Sequence, residues 1–153
     1  MSQPLLTLIH VLATLVWVGG MFFAHQCLRP AALATLAPPQ RLALWRAVFG
    51  RFFPWVWGSV ILLLATGQIM VVQMGGMAGV RLHVHIMVAI GYLMAAIYAY
   101  LYFVPYAALK RTVAAADWPA AGAALNRIRV LVGTNLGLGL LNVMLVFILR
   151  AMS

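Results

Sequence analysis

The chain has 153 residues, 66% of them hydrophobic and 7% charged, with ten Lys and Arg against one acid and a formal net charge of +9. That composition excludes a water-soluble domain, which could not cover so much apolar surface. With Asp117 as its one carboxylate, the chain also excludes catalysis by paired carboxylates and an acidic proton relay, and it has neither a phosphate loop nor a Ser-His-Asp set.

Crossing the hydrocarbon layer takes about 20 residues at 1.5 Å rise each, and four stretches reach that length, roughly 4–25, 52–73, 82–104 and 130–150. The chain reads as all-α, an integral membrane four-helix bundle forming a single transmembrane domain over residues 1–153. The first stretch, LLTLIHVLATLVWVGGMFFA, has no preceding Lys or Arg and exceeds the usual apolar core of a signal peptide, so it is expected to stay as a span. Thr7, His10, Thr14 and Trp17 share one of its faces. His25 lies about 22 Å further along and forms H-x-C with Cys27. The lone cysteine rules out an intrachain disulfide.

The first connection is too apolar for a slack linker. After Pro38-Pro39, the run QRLALWRAVFGRFF puts Leu42, Trp45, Val48, Phe49 and Phe52 on one helical face, which predicts an amphipathic interfacial helix in this loop. The second span carries Thr66 and Gln68 near its end, and the short loop QMGGMAGV follows. The third span opens on Arg81, His83 and His85. Beyond Pro105 the helix is expected to continue, with Asp117 as the N-cap of the next helix and Pro119 in its first turn. The result would be an extended helical hairpin outside the membrane. In the fourth span Asn135, Gly139 and Asn142 align, and Gly133-x-x-x-Gly137 with Gly139 offers a small-residue face.

Charge sets the topology. Arg29, Arg41, Arg46, Arg51, Lys110, Arg111, Arg127 and Arg129 cluster in or beside the first and third connections, against Arg81 and Arg150 on the opposite side. The positive-inside rule places the first group in the cytoplasm and both termini outside. The basic loops then meet an anionic inner leaflet rather than nucleic acid.

Ionisable side chains in lipid mark function by default. His10 and His85 fall at similar depths below the outer face, about 9 Å and 5 Å along their helices. Thr14, Gln68, Asn135 and Asn142 would be their polar surroundings. Two chemistries suit such a site. Cu(I) takes imidazole and thioether ligands, here His10, His85 and His83 with Met74 and Met77 of the outer loop. Haem b would take His10 and His85 as axial ligands, with Arg81 pairing a propionate. His83 is two residues from His85, so on a regular helix the two rings point apart. The plainer alternatives are helix packing for the methionines and a headgroup position for His83.

LIHVLATLVWVGGMFF, LRPAAL, PPQRLALWRAVFGRFFPWVW, GGMAGVRLHVHIM and DWPAAGAALNRIRVLVGTNLGLGLL together resemble the CopD-type copper resistance family over nearly the whole chain. The resemblance implies copper handling from the periplasmic side of a bacterial inner membrane, for uptake or resistance, with a periplasmic copper carrier as a possible partner. The fold is also similar to HemJ-type protoporphyrinogen oxidases, which bind haem b. There, a first-helix His and a Lys in an L-H-x-K stretch carry the function. His10 matches the first position, whereas Leu82-His83-Val84-His85 puts His85 in place of the Lys. Three expectations stand side by side: a copper-handling membrane protein that is not an enzyme, a haem redox protein with a redox partner, and a structural subunit. Transport through four helices would favour a homo-oligomer.

Overall fold

The computed structural model describes residues 2–151, excluding the side chain of Arg150. The described residues form four long helices: α1 (Gln3–Thr35), α2 (Pro38–Gln73), α3 (Leu82–Ala114) and α4 (Trp118–Ala151). Each is long and apolar enough to cross a membrane. The fold is therefore an all-α, four-helix, multi-pass membrane bundle.

Breaks between helices fall where local chemistry requires them. Ala37 precedes Pro38 and is extended (φ −62°, ψ 154°), because the proline ring disfavours the helical region for its neighbour. The Gln40 side chain accepts the Ala37 N–H at 3.4 Å. α2 ends on Gly75 and Gly76, both left-handed in φ, and a short 3₁₀ turn (Met77–Gly79) leads to α3. Asp117 accepts the backbone N–H of Ala120 at 3.1 Å, which makes it the N-cap of α4 as the sequence predicts.

Three wide π-type turns interrupt the α geometry, at Leu15–Gly19 and Phe23–Leu28 in α1 and at Tyr102–Tyr106 in α3. The third contains Pro105 and the second lies just before Pro30. A proline deprives the carbonyl four residues back of its donor, and a locally widened turn re-satisfies the chain without breaking the helix. Pro54 of α2 is accommodated in α geometry, and the Tyr98 hydroxyl donates to the adjacent Phe53 carbonyl at 2.9 Å.

Consecutive helices run antiparallel. His10 and Thr7 of α1 meet Thr66 and Met70 of α2. Gln68 of α2 donates to Tyr92 of α3 at 2.8 Å. Asn135 and Asn142 of α4 donate to the carbonyls of Met94 and Met87. Val18 and His25 of α1 close on Gly139 and Gly133 of α4. One end of the bundle thus holds His10, the 74–81 turn and the first and last described residues of the chain. The other gathers Arg29, Arg41, Arg46, Arg51, Lys110, Arg111, Arg127 and Arg129.

The packing is uneven between these ends. The main core extends from Val60, Met94 and Leu136 to Leu42, Leu109 and Ala121 at the arginine end. It is dominated by aromatic rings, with Phe49 stacked on Phe53 (4.9 Å, 7°) and Tyr106 edge-on to Phe53 at 4.7 Å. Toward the His10 end, the first half of α1 packs chiefly on α2, and α3 chiefly on α4. The amphipathic stretch of the first connection is helical and runs unbroken into the second span. Its apolar face, through Leu42, Trp45 and Phe49, is buried in the bundle rather than in lipid headgroups. The outward surface, including Leu15, Phe103 and Phe147, is left for lipid.

Candidate functional site

His10 is half-buried at the seam of α1 and α2, one face of its ring over Gly67, whose added Cβ would lie 3.5 Å from Cε1. Nδ1 is 2.8 Å from the Thr66 hydroxyl oxygen. The Thr66 hydroxyl is itself 2.6 Å from the Leu62 carbonyl, an obligate acceptor, so it donates there. Its oxygen is left to accept, and the His10 Nδ1–H donates to it. This hydrogen bond fixes the neutral tautomer in which Nε2 carries the lone pair. Thr7, one turn before His10, lies 3.0 Å from the Gln3 carbonyl and 3.8 Å from Sδ of Met70, one turn beyond Thr66. An imidazole and a thioether therefore occupy diagonal corners of one helix–helix contact.

His85 is arranged by the same logic on a different helix. Its Nδ1 lies 3.2 Å from the Arg81 carbonyl, so the Nδ1–H donates and Nε2 is again the free lone pair. The contacts that hold the two rings are separate, His10 anchored to α2 and His85 to its own first turn. His83 is half-buried one turn away from Met87 on the same helix. Met74 and Met77 sit on the turn between α2 and α3, 45% and 42% exposed, which leaves both thioethers reachable from solvent. Arg81, exposed, precedes α3 as its N-cap residue.

The four polar residues expected around a shared ligand have separate engagements. Thr14 donates back to the His10 carbonyl at 2.9 Å, which secures the backbone rather than the ring. Gln68 joins α2 to α3 through Tyr92. Asn135, fully buried, and Asn142 tie α4 to α3 through their amide N–H groups, and the carbonyl oxygen of each is buried without a partner. Asn135 also borders an interior cavity of about 20 Å³, together with Trp17, Met21, Phe53 and Tyr98. That space is about the size of one water, but apart from Asn135 its lining is apolar.

At the arginine end, the H-x-C pair is divided. His25 turns onto Gly133 of α4, whereas Cys27 is exposed. No group of three or more His, Cys, Asp or Glu side chains placed to hold a metal occurs among the described residues.

The sequence places Thr66 near the end of the second span, with Met70 one turn beyond it. It does not join them to His10, because the register between α1 and α2 is a tertiary property. The available signal is local: Thr66, Gly67 and Met70 combine a hydroxyl, a gap and a thioether within one helical turn.

Residues 46–149 match the family model described as copper resistance protein D. No curated protein and no solved structure matches the chain.

Proposed function

The chain belongs to the copper resistance protein D family, which connects it with copper resistance or uptake, and we propose that copper is taken up at the His10 end of the bundle. The observation that carries this reading is the His10–Thr66–Leu62 chain of hydrogen bonds, which presents Nε2 as a preset ligand. Cu(I) is the form that suits the neighbouring donors, imidazole and thioether. The exposed Met74 and Met77 make first contact, and His85, with His83 at the mouth, receives the ion. His10 and Met70 form the inner station. Copper is the cargo here, and no enzymatic step is assigned.

The arginine-rich end faces the cytoplasm under the positive-inside rule, so the receiving end opens to the periplasm of a bacterial inner membrane. The chain acts as one transmembrane domain, served from outside by a soluble copper carrier. The aromatic core behind His10 favours a second copy or another subunit if copper is to pass onward.

The test is a Cu(I) competition titration on detergent-purified protein with a chromophoric Cu(I) chelator, alongside an absorption spectrum of the same sample. Wild type withdraws copper from the chelator, and His10→Ala weakens that withdrawal at least tenfold. Met74→Leu with Met77→Leu slows capture while leaving the endpoint nearly unchanged. A Soret band lost in His10→Ala would replace this reading with haem b held by His10 and His85. A colourless protein that takes no copper would leave the family's copper connection without a site in this chain.

A further inference from the structure

We infer that the arginine end contains a binding site for a phosphate-bearing anion, built by His25 and Arg29 of α1, Arg129 of α4 and Arg41 of α2. The site has no part in the copper reading and stands on different residues.

The register of α1 against α4 creates it. His25 lies on Gly133, where its Nε2 comes within 3.2 Å of the position a Cβ would take, so a side chain there would have to displace the ring by a few tenths of an ångström. Arg29 follows His25 by one turn on α1, and Arg129 precedes Gly133 by one turn on α4. In an antiparallel pair this sets the two guanidinium groups on facing turns. The charges of both Arg29 and Arg41 act on Arg129, which brings the first turn of α2 into the same neighbourhood. The wide turn at Phe23–Leu28 belongs to the same arrangement, because it is the segment that carries His25.

Two polar atoms of this cluster are stranded. His25 Nδ1 and Arg129 Nε are buried and have no hydrogen-bond partner. The Arg129 Nε–H is an obligate donor, and a buried donor without an acceptor is rare in native folds and calls for a missing group; His25 Nδ1 donates or accepts according to its tautomer. Along the surface of α1, a groove of about 530 Å³ opens at His25, Gln26, Arg29, Pro30 and Leu33.

The chain cannot supply the countercharge. It has one acid in 153 residues, and that carboxylate already caps α4 by accepting the Ala120 N–H. Like charges gathered from three helices repel, and an external anion relieves them. Guanidinium forks match phosphate oxygens in geometry as well as charge. The cluster lies just past the first apolar span, at the level of lipid headgroups, and basic pockets between helices on the cytoplasmic side are a recurrent form of headgroup site.

The test is thermal unfolding of purified full-length protein in a zwitterionic detergent, with three additions: phosphatidylglycerol, phosphatidylcholine and inorganic phosphate. Phosphatidylglycerol raises the Tm of wild type by several degrees and phosphatidylcholine does not. A comparable rise with millimolar inorganic phosphate identifies free phosphate as a sufficient source, whereas a rise with the lipid alone assigns the site to a headgroup. Arg129→Gln and Arg29→Gln each remove at least half of that rise. Without any anion, Arg129→Gln has a Tm equal to or above that of wild type, because a repelling charge is gone. Arg127→Gln, which removes an exposed arginine from the same end, keeps the full rise. The inference is overturned if no anion raises the Tm, or if Arg127→Gln loses as much of the rise as Arg129→Gln.

Discussion

Thr66 decides what His10 can do. Its hydroxyl donates to Leu62 and accepts from His10, so a single oxygen sets both the ring orientation and the tautomer. Partners of this kind typically contribute about 10- to 100-fold in metal affinity. Thr66→Val keeps the shape and removes the acceptor, and it should weaken Cu(I) binding by about that factor. Thr66→Ser should restore most of the loss, which separates a hydrogen-bonding role from a packing one. The same titration used for His10→Ala reads both variants. His10 and His85 were legible as site candidates because an imidazole in an apolar run is conspicuous. The tautomer was not legible, because it depends on a hydroxyl on a helix whose register the pattern does not give.

Among the elements, the glycines of α1 and α4 show how far a motif can be read. The pairs Gly19-Gly20 and Gly133-x-x-x-Gly137 look equivalent in the sequence. In the fold Gly20 receives the Phe52 ring, Gly133 receives His25, and Gly139 receives Val18 and Met94, whereas Gly19 and Gly137 face open space. Gly20→Ala should therefore cost about 1–3 kcal/mol by overpacking. Gly19→Ala, free of any clash, should be neutral or gain up to about 1 kcal/mol from the helix propensity of alanine. Thermal unfolding in detergent distinguishes the two, and equal losses would mean that neither glycine is chosen for the neighbour it admits. The four helices themselves were readable from apolar length and from the Pro38, Gly75-Gly76 and Asp117 breaks. The wide turns were not, because Pro54 and Pro105 carry the same local message and only one of them widens its helix.

At the scale of the whole molecule, each helix of more than 30 residues is about 50 Å long, against a hydrocarbon layer of about 30 Å. Most of the excess lies at the arginine end, where the buried Leu42, Trp45, Leu109 and Leu125 give the projecting turns a core of their own. The sequence predicts a helical hairpin and an amphipathic interfacial helix there but not their shared core, since the burial of the α2 opening turns depends on the other three helices. Sidedness can be checked in a Cys27→Ser background with Ala78→Cys and Ala115→Cys, both at exposed positions on opposite ends. A membrane-impermeant maleimide should label Ala78→Cys in intact spheroplasts and Ala115→Cys only in inverted vesicles. The opposite pattern would turn the receiving end toward the cytoplasm.

The uneven packing has a consequence for how the protein senses its surroundings. Aromatic rings clasp all four helices at the arginine end, whereas at the other end the helices associate mainly two by two. The bundle resembles a clothes-peg whose spring is protein and whose jaws are gripped by lipid. The Gln68–Tyr92 hydrogen bond is a polar tie between the two pairs there, so the spacing of α1–α2 from α3–α4 rests on few protein contacts and should respond to bilayer thickness. A ligand station split between those two pairs would be tuned by the membrane as much as by the polypeptide.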